Sequence, residues 1–225
     1  MTVERIVVLA VTKMLSGMCT GGISLSTGKW IRPTKEFGTV LLGDLKYRDK
    51  TVMRPFDVVD FSLVKPKPAP PHKEDWVCDY VRARPVLVNS LEDRLPLLEK
   101  HSEPTAPQEI LHAQRSLALF EPIQVTATFT LDNYSGKYEA RLKTPEMGDR
   151  PIPVTDIKWR ALGRRLLGGA EHLTLTPDDL RTRLGTSRIF VALGLGRLYE
   201  GRHWPLVIGV HTWPDYEAVV DYAEL

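Results

Sequence analysis

The chain has 225 residues, of which 43% are hydrophobic and 26% charged, a composition typical of a folded soluble protein that excludes a wholly disordered one. Its 30 basic and 28 acidic residues leave a net charge of +2, too small to indicate a nucleic-acid partner by bulk charge alone. Two cysteines, Cys19 and Cys78, exclude a disulfide scaffold and a four-cysteine zinc site. No apolar run approaches the ~20 residues that span a bilayer, and no signal-peptide pattern is present, so we expect a cytoplasmic protein.

Charge is unevenly distributed along the chain. Residues 137–202 contain 13 Lys or Arg against 8 Asp or Glu, whereas residues 213–225 contain four acids and no base. A basic middle followed by an acidic tail is typical of a nucleic-acid face and a tail that competes for it, although an ordinary solvated surface also explains the pattern.

The first third of the chain is predicted to form strands. Residues 5–11 are apolar and rich in Val and Ile, which indicates a strand buried on both faces and ended by Gly21-Gly22. The segment ISLSTGKWIRP then predicts a hairpin that ends at Pro33. A further strand covers residues 57–64, and the prolines of residues 66–71 form a loop before the strand pattern resumes at Asp75.

Residues 90–117 are predicted to be helical. Ser90 or Asp93 can cap the first helix, and Pro96 fits only if that helix begins late, with Asp93 as its N-cap. Thr105 to Gln108 has the pattern of a capping box and predicts the start of a second helix.

The second half returns to strands. Alternating apolar residues over 123–143, with a turn at Gly136, predict the clearest hairpin in the chain. A strand at 152–154 precedes a helix capped by Asp156, and another helix begins at Thr176 and ends at Gly185. The last two strands, 188–195 and 204–212, are predicted to be separated by turn glycines at positions 194, 196 and 201.

The predicted fold is therefore mainly β with short helices (α+β). We expect two tandem five-stranded antiparallel barrels, each of ~100 residues, joined by a helical segment. The expected divisions are an N-terminal barrel over 1–89, a helical connection over 90–118, and a C-terminal barrel over 119–225 with short helices and the acidic tail. A single β-sandwich is the structural alternative.

Two segments combine cations with tryptophan. Lys29, Trp30 and Arg32 follow a tight turn, and Trp30 and Arg32 share one strand face, which suits stacked bases and phosphates. The alternative is that Trp30 fills a core and Arg32 forms a surface ion pair. The helix after Asp156 has four cations and no acid, which predicts a uniformly positive outer face for phosphate contact, with Trp159 as the docking anchor. A solvated amphipathic helix is the alternative. The four cations are Lys158, Arg160, Arg164 and Arg165.

The patterns of metal and catalytic sites are weak. Positions 194, 196 and 201 lack the spacing and the following helix of a dinucleotide-binding loop, and no Gly-x-Ser-x-Gly elbow or Walker loop is present. The acids and histidines have no known metal-ligand spacing. We therefore predict no metal, no cofactor and no catalytic residue, although distant acids such as Asp57, Asp75 and Asp156 leave a metal-dependent hydrolase open.

Several segments occur in an order that resembles the dual OB-containing domain family of prokaryotic proteins. These are GMCTGGISLSTGKWIRP, PFDVVDFSLVKPKPAPPHKEDWVCD, SLALFEPIQV, VTDIKWRALG and VALGLGRLYEGRHWPLVIGVH, together spanning from about residue 5 to about residue 213. The resemblance implies two oligonucleotide-binding (OB) barrels in tandem and nucleic-acid binding as the usual function, but no catalytic residues.

We accordingly predict a non-catalytic module that binds nucleic acid, with single-stranded DNA or RNA favoured over duplex because aromatic residues accompany the cations. The predicted contacts are Lys29, Trp30, Arg32, Lys158, Arg160, Arg164, Arg165 and Arg202. The main alternative is an adaptor that holds a partner enzyme, since the same barrel fold also binds proteins and sugars.

Overall fold

The structure is a computed structural model that describes residues 2–14, 16–88 and 91–224. In chain order its strands are β1 (Thr2–Met14), β2 (Gly17–Ser24), β3 (Trp30–Thr34), β4 (Asp57–Pro66), β5 (Asp75–Val88), β6 (Leu117–Phe120), β7 (Thr126–Leu131), β8 (Tyr138–Lys143), β9 (Ile152–Pro153), β10 (His172–Leu175), β11 (Arg188–Tyr199) and β12 (Arg202–Trp213). The helices are α1 (Leu91–His101), α2 (Ala106–Leu111), α3 (Ile157–Leu167) and α4 (Pro177–Leu184). In this part of the chain no helix is long and apolar enough to cross a bilayer.

The first five strands close into a barrel in the order β1-β2-β3-β5-β4. Most of its neighbouring strands are antiparallel, as predicted. The exception is the pair β3–β5, which is parallel, with Arg32 opposite Asp75 and Thr34 opposite Val77. Two strands can run parallel here because the long connection through β4 returns the chain to the same end of the barrel.

The strands of the second half form two sheets, in the orders β10-β7-β8-β9 and β12-β11-β6. A parallel bridge between Val154 and Val207 joins the two sheets at one side, and residues 121–125 join β6 to β7 at the other. The resulting order β7-β8-β9-β12-β11-β6 repeats that of the first barrel, with its first strand divided into β6 and β7. The described residues contain one closed barrel rather than the two predicted, and the second half is an open version of the same topology.

The two halves share a hydrophobic interface. Along β1, Ile6 and Val8 belong to the core of the first barrel, whereas Val7 and Leu9 pack against β6, β11 and β12. This alternation confirms burial on both faces for residues 6–11, whereas Arg5 is exposed and pairs with Asp60. The backbones also approach closely, because a Cβ added to Gly209 would lie 2.5 Å from the carbonyl oxygen of Leu9.

Three glycine predictions need correction because the glycines lie within strands. Gly22 does not end a strand but lies inside β2, where an added Cβ would be 2.1 Å from the Val7 carbonyl oxygen. Gly194 and Gly196 lie inside β11, and an added Cβ at Gly194 would be 2.7 Å from Ile208. Only Gly201, with φ of +77°, occupies the turn between the last two strands. Close packing, rather than turn geometry, explains Gly22 and Gly194.

The predicted helices are present, and two of their starts differ in detail. Asp156 caps α3, and Thr176 caps α4 through a capping box, both as predicted. The helix α2 begins after Thr105, but the Thr105 side chain makes no capping hydrogen bond. The helix α1 includes Pro96 and begins before Asp93, so Asp93 is not its cap; Ser90, the other candidate, lies outside the described residues.

Candidate functional site

The hairpin formed by β11 and β12 ends in an exposed tip. Its turn consists of Glu200 and Gly201, both with positive φ, and the strand register shifts between Leu195 and Leu198. The side chains of Leu198 and Tyr199 are each 65% exposed. Exposed apolar and aromatic side chains next to each other are a common mark of an interaction site.

Two arginines stack on a tryptophan beside this tip. The Cζ of Arg202 lies 3.2 Å from the centre of the Trp204 ring, and the Cζ of Arg150 lies 5.1 Å from it. The Trp204 indole N–H donates to the carbonyl oxygen of Tyr199 at 3.2 Å, which fixes the ring against the turn. Within the described part of the chain, neither guanidinium has a carboxylate partner, so both remain available to an anionic ligand.

These residues line a groove of about 840 Å³, which we call the hairpin groove. Its other walls are Arg141 of β8, the strand β9 and the end of α2. In OB barrels, ligands bind across the second and third strands and the loop between the fourth and fifth. The strands β8 and β9 and the turn at Gly201 hold those three positions in the second half, so the groove lies where this topology places its ligands.

Of the eight residues predicted as nucleic-acid contacts, Arg202 is the one that lies in the hairpin groove. The residues that sequence reasoning missed there are Arg141, Arg150, Tyr199 and Trp204. A signal for part of this set is present, since Arg202 and Trp204 are two residues apart and therefore share one face of β12. The neighbouring glycines, at positions 194, 196 and 201, were assigned to turns from the sequence, and this pair was not considered as a site. Arg150 and Arg141 are distant in sequence, and only the fold brings them to Trp204.

Trp30 and Arg32 are both buried. For Trp30 this agrees with the alternative in which its ring fills a core and does not stack on bases. The Trp30 side chain, 9% exposed, packs in the interface between the two halves. Arg32 is 7% exposed; its Nε donates to Asp75 at 2.6 Å and its Nη2 donates to Ser116 at 3.2 Å. The pair therefore offers neither an open ring face nor a free cation. Lys29, which precedes them, is exposed.

The polar residues around Arg32 tie the two halves together. Glu74 accepts hydrogen bonds from the Ser116 hydroxyl and from the amides of Ser116 and Leu117, at 2.8–3.1 Å. Burial raises the pKa of Asp75 above its ordinary value, and the Arg32 guanidinium opposes that rise. His72 is buried beside them against His203, with ring centres 5.1 Å apart. Burial, with Arg32 and Arg197 nearby, lowers the pKa of His72 to about 4.

The cations of α3 are partly engaged within the protein. The ammonium of Lys158 contacts both carboxylate oxygens of Asp215 at 2.8 Å, so the acidic tail neutralises it. Arg160 donates to the carbonyl oxygens of Val154 and Tyr138, and burial lowers its pKa. The predicted uniformly positive outer face is therefore reduced to two residues.

Those two residues are Arg164 and Arg165, and both are exposed. The guanidinium of Arg164 lies 4.4 Å from the centre of the Tyr138 ring, and Arg165 donates to the Glu217 carbonyl oxygen. Trp159 is fully buried and packs against Phe129 and Tyr216, which agrees with its predicted role as the anchor of the helix.

The acids considered for a hydrolase have separate partners. Asp57 accepts from the Tyr47 hydroxyl and the Arg54 amide, Asp75 pairs with Arg32, and Asp156 caps α3. Among the described residues, no group of three or more His, Cys, Asp or Glu side chains is placed to hold a metal ion.

Comparisons with known proteins give one match. The family model of the dual OB-containing domain matches residues 4–210. No curated protein matches this chain. No solved structure matches it either.

Proposed function

Because the chain belongs to the dual OB-containing domain family, whose fold commonly binds nucleic acids, we propose that it binds single-stranded DNA or RNA in the hairpin groove. The observation that carries the proposal is the stack of Arg150, Trp204 and Arg202 beside the exposed ring of Tyr199. Aromatic faces bind unpaired bases, and arginines without a carboxylate partner bind the phosphates between them.

The arrangement favours a single strand over a duplex. In a duplex the bases stack on one another, so an aromatic side chain on the protein gains no contact with a base face. An unpaired strand can place a base on Tyr199 or at the edge of Trp204 while its phosphates approach Arg150 and Arg202.

The experiment is a titration of labelled single-stranded oligonucleotides at several salt concentrations. If phosphate contacts contribute, the logarithm of affinity falls as the logarithm of salt rises. We expect Arg150→Gln and Arg202→Gln each to weaken binding and to reduce that slope by about one unit. Arg181→Gln is the matched control, because Arg181 is an exposed arginine on α4 that lies outside the groove and pairs with Asp178. Equal loss in all three variants, or no binding at low salt, contradicts the proposal.

Arg164 and Arg165 are proposed as flanking phosphate contacts. Both are exposed on α3, whereas Lys158 and Arg160 are half-buried. The double variant Arg164→Gln/Arg165→Gln tests them in the same titration. A lower salt slope supports their contact with the strand, and an unchanged slope confines the site to the hairpin groove.

A protein-interaction adaptor is the second candidate. The adjacent exposed side chains of Leu198 and Tyr199 favour it, because such a pair also suits an apolar protein surface. The salt titration separates the two functions, since an apolar protein contact depends weakly on salt and does not require Arg150 or Arg202.

A further inference from the structure

The mouth of the first barrel contains a second pocket, separate from the hairpin groove. Its volume is about 710 Å³, and it lies between the starts of β1, β3 and β5. Trp30 and Trp76 form apolar parts of its wall, and Lys29 and Lys73 are the exposed cations at its edge. Mouths of β-barrels are among the places where small ligands commonly bind.

The acids around this pocket are already engaged. Glu4 accepts hydrogen bonds from Ser24 and Ser26, both at 2.7 Å. Glu74 accepts from Ser116 and Leu117, as described above. Arg115, the third cation of the wall, forms an ion pair with Glu103, so the charges of these two residues compensate each other. The groups that donate to Glu4 and Glu74 are neutral, so both carboxylates keep their negative charge at the pocket wall.

Three hydrogen-bond donors of the pocket wall, in contrast, have no partner among the described residues. Neither Lys29 nor Lys73 makes a side-chain hydrogen bond or ion pair within the described part of the chain. The indole N–H of Trp30 is buried and has no acceptor there either. Because that N–H is inaccessible to solvent, the two exposed ammonium groups are the donors that a ligand meets. The partnerless groups that a ligand can reach are therefore two ammonium groups, beside an aromatic wall.

We propose that the mouth of the first barrel binds a nucleotide unit, with its base against Trp76 and its phosphate at Lys29 and Lys73. A nucleotide combines a planar ring that can stack on Trp76 with a negative charge that the two unpaired lysines complement. The pocket has the size typical of small-molecule sites. The inference rests on the donors and acceptors of this pocket alone, and it does not require the hairpin groove to bind a strand. Two sources supply the ligand chemistry, a free mononucleotide and the phosphorylated end of a nucleic-acid strand.

The experiment is calorimetric titration of the full chain with adenosine 5′-monophosphate, with adenosine and inorganic phosphate as partial ligands. We expect saturable binding of the nucleotide at one site and at least tenfold weaker binding of each partial ligand. The variant Lys29→Gln/Lys73→Gln should weaken nucleotide binding at least tenfold. Lys46→Gln/Lys50→Gln, a pair of exposed lysines outside the pocket, is the matched control and should bind normally.

The indole N–H signal of Trp30 in a nitrogen-15 NMR spectrum gives an independent readout, and Trp30→Phe assigns it. Nucleotide should shift this signal in the wild type and in Trp204→Ala, which removes the central ring of the hairpin groove. No saturable binding, normal binding in Lys29→Gln/Lys73→Gln, or loss of binding in Trp204→Ala would overturn the proposal. These results leave the groove proposal untouched unless oligonucleotide binding is lost as well.

Competition then identifies the source of the ligand. A short oligonucleotide with a 5′-phosphate displaces the mononucleotide if the mouth accepts a strand end, and the same oligonucleotide without the phosphate does not. If both oligonucleotides leave mononucleotide binding unchanged, the mouth is a site for the free nucleotide. Both results are consistent with a site in the mouth. The test of the site itself is nucleotide binding by Lys29→Gln/Lys73→Gln and by Trp204→Ala.

Discussion

Trp30 and Trp204 lie in similar local sequences but in different environments. Trp30 lies two residues from Arg32 and Trp204 lies two residues from Arg202, so each pair shares a strand face. Arg32 is buried against Asp75, and Trp30 packs in the interface, whereas Arg202 is exposed and stacks on Trp204. The surrounding strands, rather than the local motif, determine which pair faces a ligand.

Substituting the two tryptophans should separate packing from binding. We expect Trp30→Ala to lower the free energy of unfolding by about 3–5 kcal/mol, because it opens a cavity in the interface. Trp204→Ala should change stability by about 1 kcal/mol and weaken single-strand binding by about 1–3 kcal/mol. Urea unfolding and oligonucleotide titration of both variants provide the measurement. A stable Trp30→Ala protein with impaired strand binding would reverse the assignment.

Two buried histidines should make stability depend on pH. Burial, followed by the charges of neighbouring cations, lowers the pKa of His72 and of His211 to about 4, whereas an unfolded histidine titrates near 6.5. Between these values the unfolded chain binds protons that the folded chain does not, so stability falls as pH falls from 6.5 toward 4. The expected loss is about 2–3 kcal/mol for each histidine.

Asp156 acts in the opposite direction over part of this range. Burial raises its pKa to about 6, so the folded chain binds a proton there more readily than the unfolded chain, and its contribution to stability falls as pH rises from about 4 to 6. Urea unfolding at intervals between pH 4 and 7 gives the net slope. Comparison with His211→Gln isolates one histidine, and an identical slope in this variant would contradict the assignment for His211.

At the scale of elements, α3 is fastened to both halves of the molecule by its first turn. The Asp156 carboxylate accepts from the amides of Lys158 and Trp159 through one oxygen and from the Val210 amide of β12 through the other. Ile157 extends into the core of the first barrel, while Trp159 lies in the core of the second half. The cap therefore positions a helix that contacts two cores.

Removing this cap should cost more than removing an exposed one. We expect Asp156→Ala to lower the free energy of unfolding by about 2–4 kcal/mol, because it leaves the buried Val210 amide without an acceptor as well as uncapping the helix. Thr176→Ala, at the exposed start of α4, is the matched control and should cost about 1 kcal/mol. Thermal and urea unfolding measure both, and equal losses would show that the Val210 contact contributes nothing.

At the scale of the whole molecule, the shared interface makes the two halves one folding unit. Strands from both halves contribute to it, including Leu9 and Ile23 from the first and Leu119, Phe190 and Ile208 from the second. The network of Arg32, Asp75, Glu74 and Ser116 lies beside this apolar contact. Separating the halves would expose both surfaces to water.

The unfolding of the full chain should therefore be a single cooperative transition. Scanning calorimetry should give one peak whose calorimetric and van't Hoff enthalpies agree. Leu119→Asp places a charge in the interface and should split the peak or lower its temperature by several degrees, whereas Leu198→Asp, at the exposed hairpin tip, should not. Two resolved transitions in the wild type would show that the halves fold independently.

The sequence by itself determined most of the local structure. Periodicity and capping residues predicted the β-rich fold, the hairpin around Gly136, and the helices α3 and α4, because these depend on interactions between residues close in the chain. Resemblance to a family added the pairing of two OB domains, which the match over residues 4–210 bears out.

The tertiary structure decided what depends on residues far apart in sequence. It placed Trp30 in an interface rather than on a surface, left the second barrel open, and brought Arg150 to the ring that Arg202 covers. The physical reason is that burial and electrostatic pairing depend on which strands become neighbours. In this fold, partners such as Arg32 and Asp75 are 43 residues apart, and no local pattern contains both.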